Sequence, residues 1–247
     1  MQGRNATEFS AKKREIEFRD KKWPDFRGSL YRNMVECSFI ADEFDATPSD
    51  TILEVGAGGG RFTEKMAGIG AKVIALDMSK EQLRINRERC SCDVVLGDLC
   101  HLPFKSCVFD KTVALSVFQC IPTKESRSFG LKEVRRVTRK GGLFLIDVYN
   151  HRPLLDFWVN RKEGFYRTSP PVYYYRFGFR EFQIWLGSMF RKILSFKGIL
   201  VLYPLMKASK LENSPVASRI ALLLERGIRK TFLPSFFGDF ILATCEA

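Results

Sequence analysis

Between Thr51 and Tyr149 the chain alternates short apolar, β-branched runs with stretches of helical spacing. Thr51–Val55 reads as a strand ending on a glycine cluster, and Arg61–Ala67 as a short helix that Gly68 and Gly70 stop. Lys72–Leu76 is the next strand, and Ser79, with Gln82 three residues on, is placed to cap the helix after it. Asp93–Leu96 and Phe109–Leu115 predict the third and fourth strands, and Glu125–Val137 the helix that follows. Lys140-Gly-Gly142 then predicts a turn into a fifth strand, Leu143–Val148. Strands alternating with helices at this spacing predict βαβ units and a doubly wound, parallel α/β sheet. In such sheets ligands bind at the carboxyl ends of the strands.

The flanks have a different rhythm. Glu8–Phe44 reads as two helices broken near Pro24, and Asn150–Tyr175 is aromatic and basic, interrupted by Pro153, Pro170 and Pro171. The latter predicts an insertion or lid after the fifth strand rather than another βα unit. Phe179–Ile193 has helical spacing, Lys197–Tyr203 reads as a strand, Pro215–Ile228 as a helix and Phe237–Cys245 as a last strand. One domain over 1–247 is expected: a helical segment at 1–48, a ligand-binding core at 49–149, a lid at 150–195, and a closing strand pair with its helix at 196–247.

Composition narrows the class without choosing a function. The chain is 45% hydrophobic and 28% charged, as ordinary globular proteins are. Its polar N-terminal stretch is not patterned as a signal peptide, and Gly198–Met206 falls well short of the roughly 20 apolar residues a membrane span needs. A cytoplasmic protein is the expectation. Seven cysteines, an odd number with no C-x-x-C pair, read as buried reduced thiols. The spacing of Cys90, Cys92, Cys100, His101 and Cys107 fits no usual zinc pattern, so no metal is expected. The net charge of +12 is concentrated in residues 151–247, which carry 15 basic and 7 acidic side chains. Such an excess suits nucleic acid, an anionic membrane, an acidic substrate or plain solubility.

The chemistry is in Glu54-Val-Gly56-Ala57-Gly58-Gly-Gly60. Glycines between a strand and a helix let backbone approach a ligand closely. A dinucleotide fingerprint, G-x-G-x-x-G, would put its third glycine at Arg61 or Thr63, so both registers fail. The Gly-Lys-Ser/Thr ending of a phosphate-binding loop is absent too. The remaining pattern, E-x-G-x-G-x-G, resembles the first motif of class I S-adenosylmethionine-dependent methyltransferases. Asp77 lies 21 residues after Gly56 at the end of the second strand, and Gly97-Asp98-Leu99 through Leu102-Pro103-Phe104 is similar to the family's G-D-x-x-x-L-P-F segment. Ala114 through Gln119 resembles the cofactor-flanking loop after strand four, and Glu133–Ile146 the helix and turn into strand five, with Lys140 where many members have proline.

The resemblance spans about residues 35–150 and is closest to the branch that methylates small molecules and quinones. It implies a Rossmann-like, seven-stranded, mostly parallel sheet closed by an antiparallel pair. It also implies S-adenosyl-L-methionine as cofactor. Glu54 would position its methionine end, Gly56, Ala57, Gly58 and Gly60 would shape the loop, and Asp77 with Met78 would hold the ribose. Asp98 with Leu99 would read adenine, and Ser116 with Val117 would flank the cofactor.

The acceptor is less legible. His151 is the candidate base, although methyl transfer does not require one. His101 suits packing beside the adenine, and Gln119 the methyl end. The aromatics Phe157, Trp158, Phe165, Tyr166 and Tyr173–Tyr175 read as a lid over a small, partly apolar acceptor, as core, or, with Arg161, Lys162, Arg167, Arg176 and Arg180 between them, as a nucleic-acid surface. The chain lacks the Asn/Asp-Pro-Pro-aromatic motif of DNA amino-methyltransferases and has Ser116-Val-Phe-Gln119 instead, so nucleic acid is not favoured. Phe232–Phe237 and the basic-apolar helix Ala217–Lys230 suggest peripheral membrane contact, but apolar residues on most sides of that helix make burial the simpler expectation. An RNA or protein methyltransferase using the basic C-terminal third, and a scaffold that binds cofactor without catalysis, are the competing readings.

Overall fold

The computed structural model describes residues 2–22, 28–152, 161–228, 230–231 and 237–247. Seven strands form one sheet: β1 (Thr51–Val55), β2 (Lys72–Asp77), β3 (Asp93–Leu96), β4 (Phe109–Ala114), β5 (Thr138–Tyr149), β8 (Lys192–Ile199) and β9 (Phe240–Glu246). Their order is β3-β2-β1-β4-β5-β9-β8, and only β9 runs against its neighbours. This is the Rossmann-like methyltransferase sheet, and its order reverses between β1 and β4. The crevice opened there, at the carboxyl ends, is where such sheets take ligands.

Each central strand is apolar on both faces because helices cover both. Leu53, Val55, Phe144 and Ile146 face one layer with α5 (Lys124–Val137) and α6 (Phe179–Gly187). Ile52, Val113 and Leu145 face the other with α2 (Leu30–Phe44), α3 (Thr63–Gly68), α7 (Tyr203–Ala208) and α8 (Pro215–Ile228). The expected cap is present: the Ser79 hydroxyl accepts from the Gln82 amide at 3.1 Å and starts α4 (Lys80–Cys90).

Several boundaries depart from the sequence pattern. The turn expected at Lys140–Gly142 is an irregularity inside a 12-residue β5, where the pairing register with β4 shifts. The expected helix Phe179–Ile193 stops at Gly187, and the strand after it is Lys192–Ile199 rather than Lys197–Tyr203. Tyr203 instead begins α7, with Pro204 in its first turn, where a missing amide costs nothing. The insertion after β5 contains a hairpin, β6 (Glu163–Phe165) and β7 (Tyr173–Tyr175). Its tyrosines Tyr173, Tyr174 and Tyr175 are buried, so they form core and not a stacking platform. Phe157, Trp158, Pro24 and residues 232–236 lie outside the described residues.

The largest departure is α1 (Gln2–Lys22), which crosses the carboxyl ends of the strands and packs on α4. The Asp20 carboxylate accepts from the Ser79 hydroxyl, Arg19 O accepts from Gln82 Nε2 at 3.3 Å, and Glu8 accepts from the Ser126 hydroxyl at 2.7 Å. The N-terminal helix therefore roofs the crevice, a role the sequence pattern assigned to the segment after β5. All seven cysteines are free, but only Cys100 and Cys245 are buried as expected; Cys37, Cys90, Cys92 and Cys120 are partly buried and Cys107 is exposed. Among the described residues no group of three or more His, Cys, Asp or Glu could hold a metal ion, and no helix is long and apolar enough to cross a membrane.

Candidate active site

The glycine loop is held by backbone. Gly56 and Ala57 donate to Leu76 O at 2.7 and 3.1 Å, which folds the loop against the end of β2. Gly56 has φ +67°, and a Cβ there would lie 2.3 Å from Val117 Cγ2. The loop and the segment after β4 thus approach as closely as two backbones can with one side chain between them. Gly60, also expected to shape the cofactor loop, donates its amide to Ala57 O at 3.1 Å within that loop but does not line the crevice. It has φ +86°, a Cβ there would meet the Asn86 side chain at 2.9 Å, and Gly59 rather than Gly60 lines the crevice. Gly60 lets α4 close on the loop; Asn86 Nδ2 then donates to Gly58 O at 3.2 Å and to Thr63 Oγ1 at 2.9 Å.

Three carboxylates stand at successive strand ends and all line the crevice. Glu54 is buried behind the loop and accepts the Thr63 hydroxyl at 2.5 Å. Burial pushes its carboxyl up to about 7, against the pull of Thr63 and Arg61. Asp77 accepts the Gly58 amide on Oδ2 at 2.9 Å and the Ser79 amide on Oδ1 at 2.8 Å. Burial raises its pKa, and those amides offset part of the rise. Asp98 accepts the Cys100 amide at 2.9 Å and Lys12 Nζ from α1 at 2.7 Å. Burial alone would raise its pKa, but Lys12 and the Cys100 amide together outweigh it and hold the carboxyl below the ordinary aspartate value.

Ala57, Gly58, Met78, Leu99, Ser116 and Val117 line the same crevice, so the structure brings together every expected cofactor residue except Gly60. His101 is exposed, in the groove under α1. His151, two residues past Tyr149, donates its amide to Phe177 O at 2.8 Å. Its Nδ1 is buried without a hydrogen bond, and it is not among the residues lining the crevice.

The crevice also has walls that local motifs did not reveal. Lys12, Glu15 and Arg19 descend from α1, and Arg32 enters from α2. Arg32 Nε pairs with Glu36 Oε1 at 2.7 Å and its Nη2 donates to Ser116 Oγ at 3.2 Å. Arg61 pairs with the other Glu36 oxygen, and Asp147 on β5 accepts the Ser116 amide. Burial and the nearby Glu36 charge push Asp147 up to about 7, so this buried network fixes the loop after β4 with its charges closely balanced. Tyr149 and Gln119, the latter already expected from sequence at the methyl end, complete the far wall, and Gln119 Oε1 is buried without a partner. A buried amide oxygen with nothing to accept from is a group waiting for a donor.

These features fit S-adenosylmethionine. The cofactor needs backbone contact without pyrophosphate, a carboxylate for ribose hydroxyls, a second for the adenine amino group, and an anionic wall near its cationic methionine end. The glycine loop, Glu54, Asp77 and Asp98, on or just after the first three strands, are groups of these kinds lining one crevice. Residues 53–146 match the family model described as a methyltransferase domain. Over those residues the chain resembles a methyltransferase domain, and the sheet that carries them has the class I strand order.

Its relatives sharpen the likeness. The chain is 30% identical to the demethylmenaquinone methyltransferase of Streptomyces avermitilis over 145 residues, 58% of this chain and 62% of that protein. It is 36% identical to the enzyme of the same name from Mycolicibacterium vanbaalenii over 126 residues, 51% of this chain and 54% of that one. The chain spans about half the length of the curated relatives it matches. Among solved structures, a Pyrococcus horikoshii protein aligns with TM-score 0.65 and 16% identity over 90% of this chain and 93% of that one. A Burkholderia thailandensis 1,6-didemethyltoxoflavin-N1-methyltransferase, solved with that compound and S-adenosylhomocysteine, aligns at 0.62 and 14% over 97% and 89%. At those identities the likeness is one of fold.

Proposed function

We propose that this protein transfers the methyl group of S-adenosylmethionine to a small, partly apolar acceptor of the hydroquinone type. The observation that carries the reading is the continuity of the crevice, from three strand-end carboxylates to a far wall of Gln119, Ile121 and Tyr149. Supporting it, the curated relatives are named for methylating demethylmenaquinone. When bound, the cofactor supplies an electrophilic sulfonium methyl. Asp77 and Asp98 would fix its nucleoside, Glu54 and the loop would orient its methionine end, and α1 would exclude water. Alignment in a dry crevice accounts for most of the protein's contribution to such a displacement.

Gln119 and Tyr149 are the residues we place against the acceptor. The orphaned Gln119 oxygen would accept a hydrogen bond from an acceptor hydroxyl and turn the acceptor's reacting atom toward the methyl group. His151, outside the crevice lining, is kept as the group whose removal tests for a side-chain base. The polyanion reading is weaker because Tyr173–Tyr175 are buried and Lys162 is paired with Glu181 at 2.6 Å. Free thiols throughout support a reducing, cytoplasmic setting.

The test follows S-adenosylhomocysteine formation with a demethylated naphthohydroquinone, alongside calorimetric titration of S-adenosylmethionine. Asp77→Ala and Asp98→Ala should each weaken cofactor binding at least about tenfold, near 1.4 kcal/mol. Gln119→Leu should lower kcat about tenfold or more with cofactor affinity unchanged, as loss of a positioned acceptor does. His151→Ala should cut kcat similarly only if it takes the proton. Tight cofactor binding with no transfer to any phenolic acceptor would leave the scaffold reading.

A pH dependence follows from Glu54. With its carboxyl near 7, it holds a proton at mildly acidic pH, and a cation beside it favours the ionised form. Cofactor affinity should therefore rise as pH increases from below 6 to above 7, and binding at pH 6 should release a proton. Titrations in buffers of different ionisation enthalpy measure that release directly; none at pH 6 would place the sulfonium end away from Glu54.

A further inference from the structure

Helix α8 is amphipathic the wrong way round for a helix that serves only the core. Its inward residues Ser218, Ala221 and Glu225 are buried, and Glu225 accepts the Tyr31 hydroxyl at 2.6 Å. On its outer side Val216, Ile220, Leu223 and Leu224 are 69, 55, 66 and 54% exposed. At 3.6 residues per turn these four fall in one stripe about 100° wide. Leu205 in α7 and Leu211 just beyond it are exposed as well. Burial, the simpler expectation from sequence, accounts for the small and polar face of α8 and not for the aliphatic one. An open aliphatic stripe of this kind marks a contact surface.

Charge selects the partner. Lys207, Lys210, Arg219 and Arg226 are exposed in the same segment, whereas its carboxylates are Glu212, half-buried, and Glu225, buried against Tyr31. A second copy packed face to face would bring these cations together. A lipid surface with anionic headgroups would pair with them while its acyl chains took up the stripe.

We propose that α8 lies flat on an anionic lipid surface, with Val216, Ile220, Leu223 and Leu224 below the headgroups and the flanking lysines and arginines among the phosphates. The docked face is one helix away from the crevice. Tyr31 donates its amide to Glu212 O at 2.9 Å and Leu30 donates to Asn213 Oδ1 at 3.0 Å, and Arg32, next along α2, lines the crevice. An acceptor dissolved in lipid would then have a short path to the site.

Flotation with vesicles tests this independently of the proposed activity, because lipid binding and cofactor binding are read separately. The protein should bind vesicles of equal parts phosphatidylglycerol and phosphatidylcholine at least about tenfold more tightly than phosphatidylcholine alone, and high salt should weaken the binding. Ile220→Gln, Leu223→Gln and Leu224→Gln combined should lower that binding about tenfold or more, leaving S-adenosylmethionine titration and the melting curve unchanged. Equal binding to neutral vesicles, or undiminished binding by the triple variant, overturns the proposal. So does a concentration-dependent dimer in sedimentation velocity that the triple variant dissolves, with no vesicle binding; the stripe would then belong to a second copy.

Discussion

Gly56→Ala is expected to remove measurable S-adenosylmethionine binding and to lower the melting temperature by on the order of 10 °C. Two effects add. A non-glycine residue at φ +67° is strained by about 1–2 kcal/mol. The new methyl would also sit 2.3 Å from Val117 Cγ2, and such overpacking costs about 1–3 kcal/mol more. The loop cannot retreat, because β1 is paired on both edges and the loop amides are committed to Leu76 O. Relief must come from the segment after β4, which lines the crevice. A loss of at least about 100-fold in affinity, near 2.7 kcal/mol, is the expected calorimetric result. Adding Val117→Ala separates the causes. Without its γ-methyls the closest remaining atom, Val117 Cβ, would be 3.4 Å away, so the double variant should regain stability and retain only the dihedral strain. A double variant no more stable than the single one would sink the steric explanation.

Glu36→Ala should be the most destabilising single change outside the loop. Glu36 is 2% exposed and carries both Arg32 and Arg61, whose side chains are 11 and 17% exposed. Removing it leaves two largely buried cations without the carboxylate that pairs both of them. Breaking a buried pair in this way costs about 3–5 kcal/mol, and in a chain of this size that corresponds to a melting shift on the order of 10 °C. The pH profile identifies the cause. Burial pushes the Glu36 carboxyl up, but the two guanidinium groups outweigh burial and hold it below the ordinary glutamate value. Its stabilising contribution is therefore complete above that ordinary value and is lost as pH falls through the lower folded one. Thermal melts between pH 3 and 6 should show a flatter acid limb for Glu36→Ala. Equal slopes would mean that Glu36 acts through packing alone. Cofactor affinity should fall too, because Arg32 and Ser116, both lining the crevice, are tied to this carboxylate directly or through Arg32.

The sequence by itself determined the half of the molecule whose interactions are local. A strand, a glycine turn and a helix, then an acid at the end of each following strand, are fixed within about 50 residues by spacing. Glu54, Gly56, Asp77 and Asp98 could be named from that spacing together with its resemblance to the family's motifs, and the structure lines the crevice with all four. The Ser79 cap was legible for the same reason, since its donor is three residues away. Gly60 shows the limit within the motif: the sequence required a residue without a side chain, but only the position of Asn86 on α4 reveals what a side chain there would meet.

What the tertiary structure decided depends on contacts between distant segments, which leave no period in either. Lys12 meets Asp98 across 86 residues, and Arg32 meets Ser116 across 84. The roof over the cofactor crevice and the buried charges behind it were therefore invisible, and the lid was sought after β5 instead. The strand expected at Lys197–Tyr203 is Lys192–Ile199 because β8 lies at the sheet edge, where pairing with β9 fixes its extent more firmly than its own half-exposed side chains do. Helix α8 carries aliphatic residues on most of its sides, a pattern that by itself reads as burial. Only its docking on α2, which turns Ser218, Ala221 and Glu225 inward, determines which aliphatic side chains remain in contact with solvent. Periodicity records how a segment folds on itself. Which face it turns to the rest of the chain is settled by partners far away in sequence.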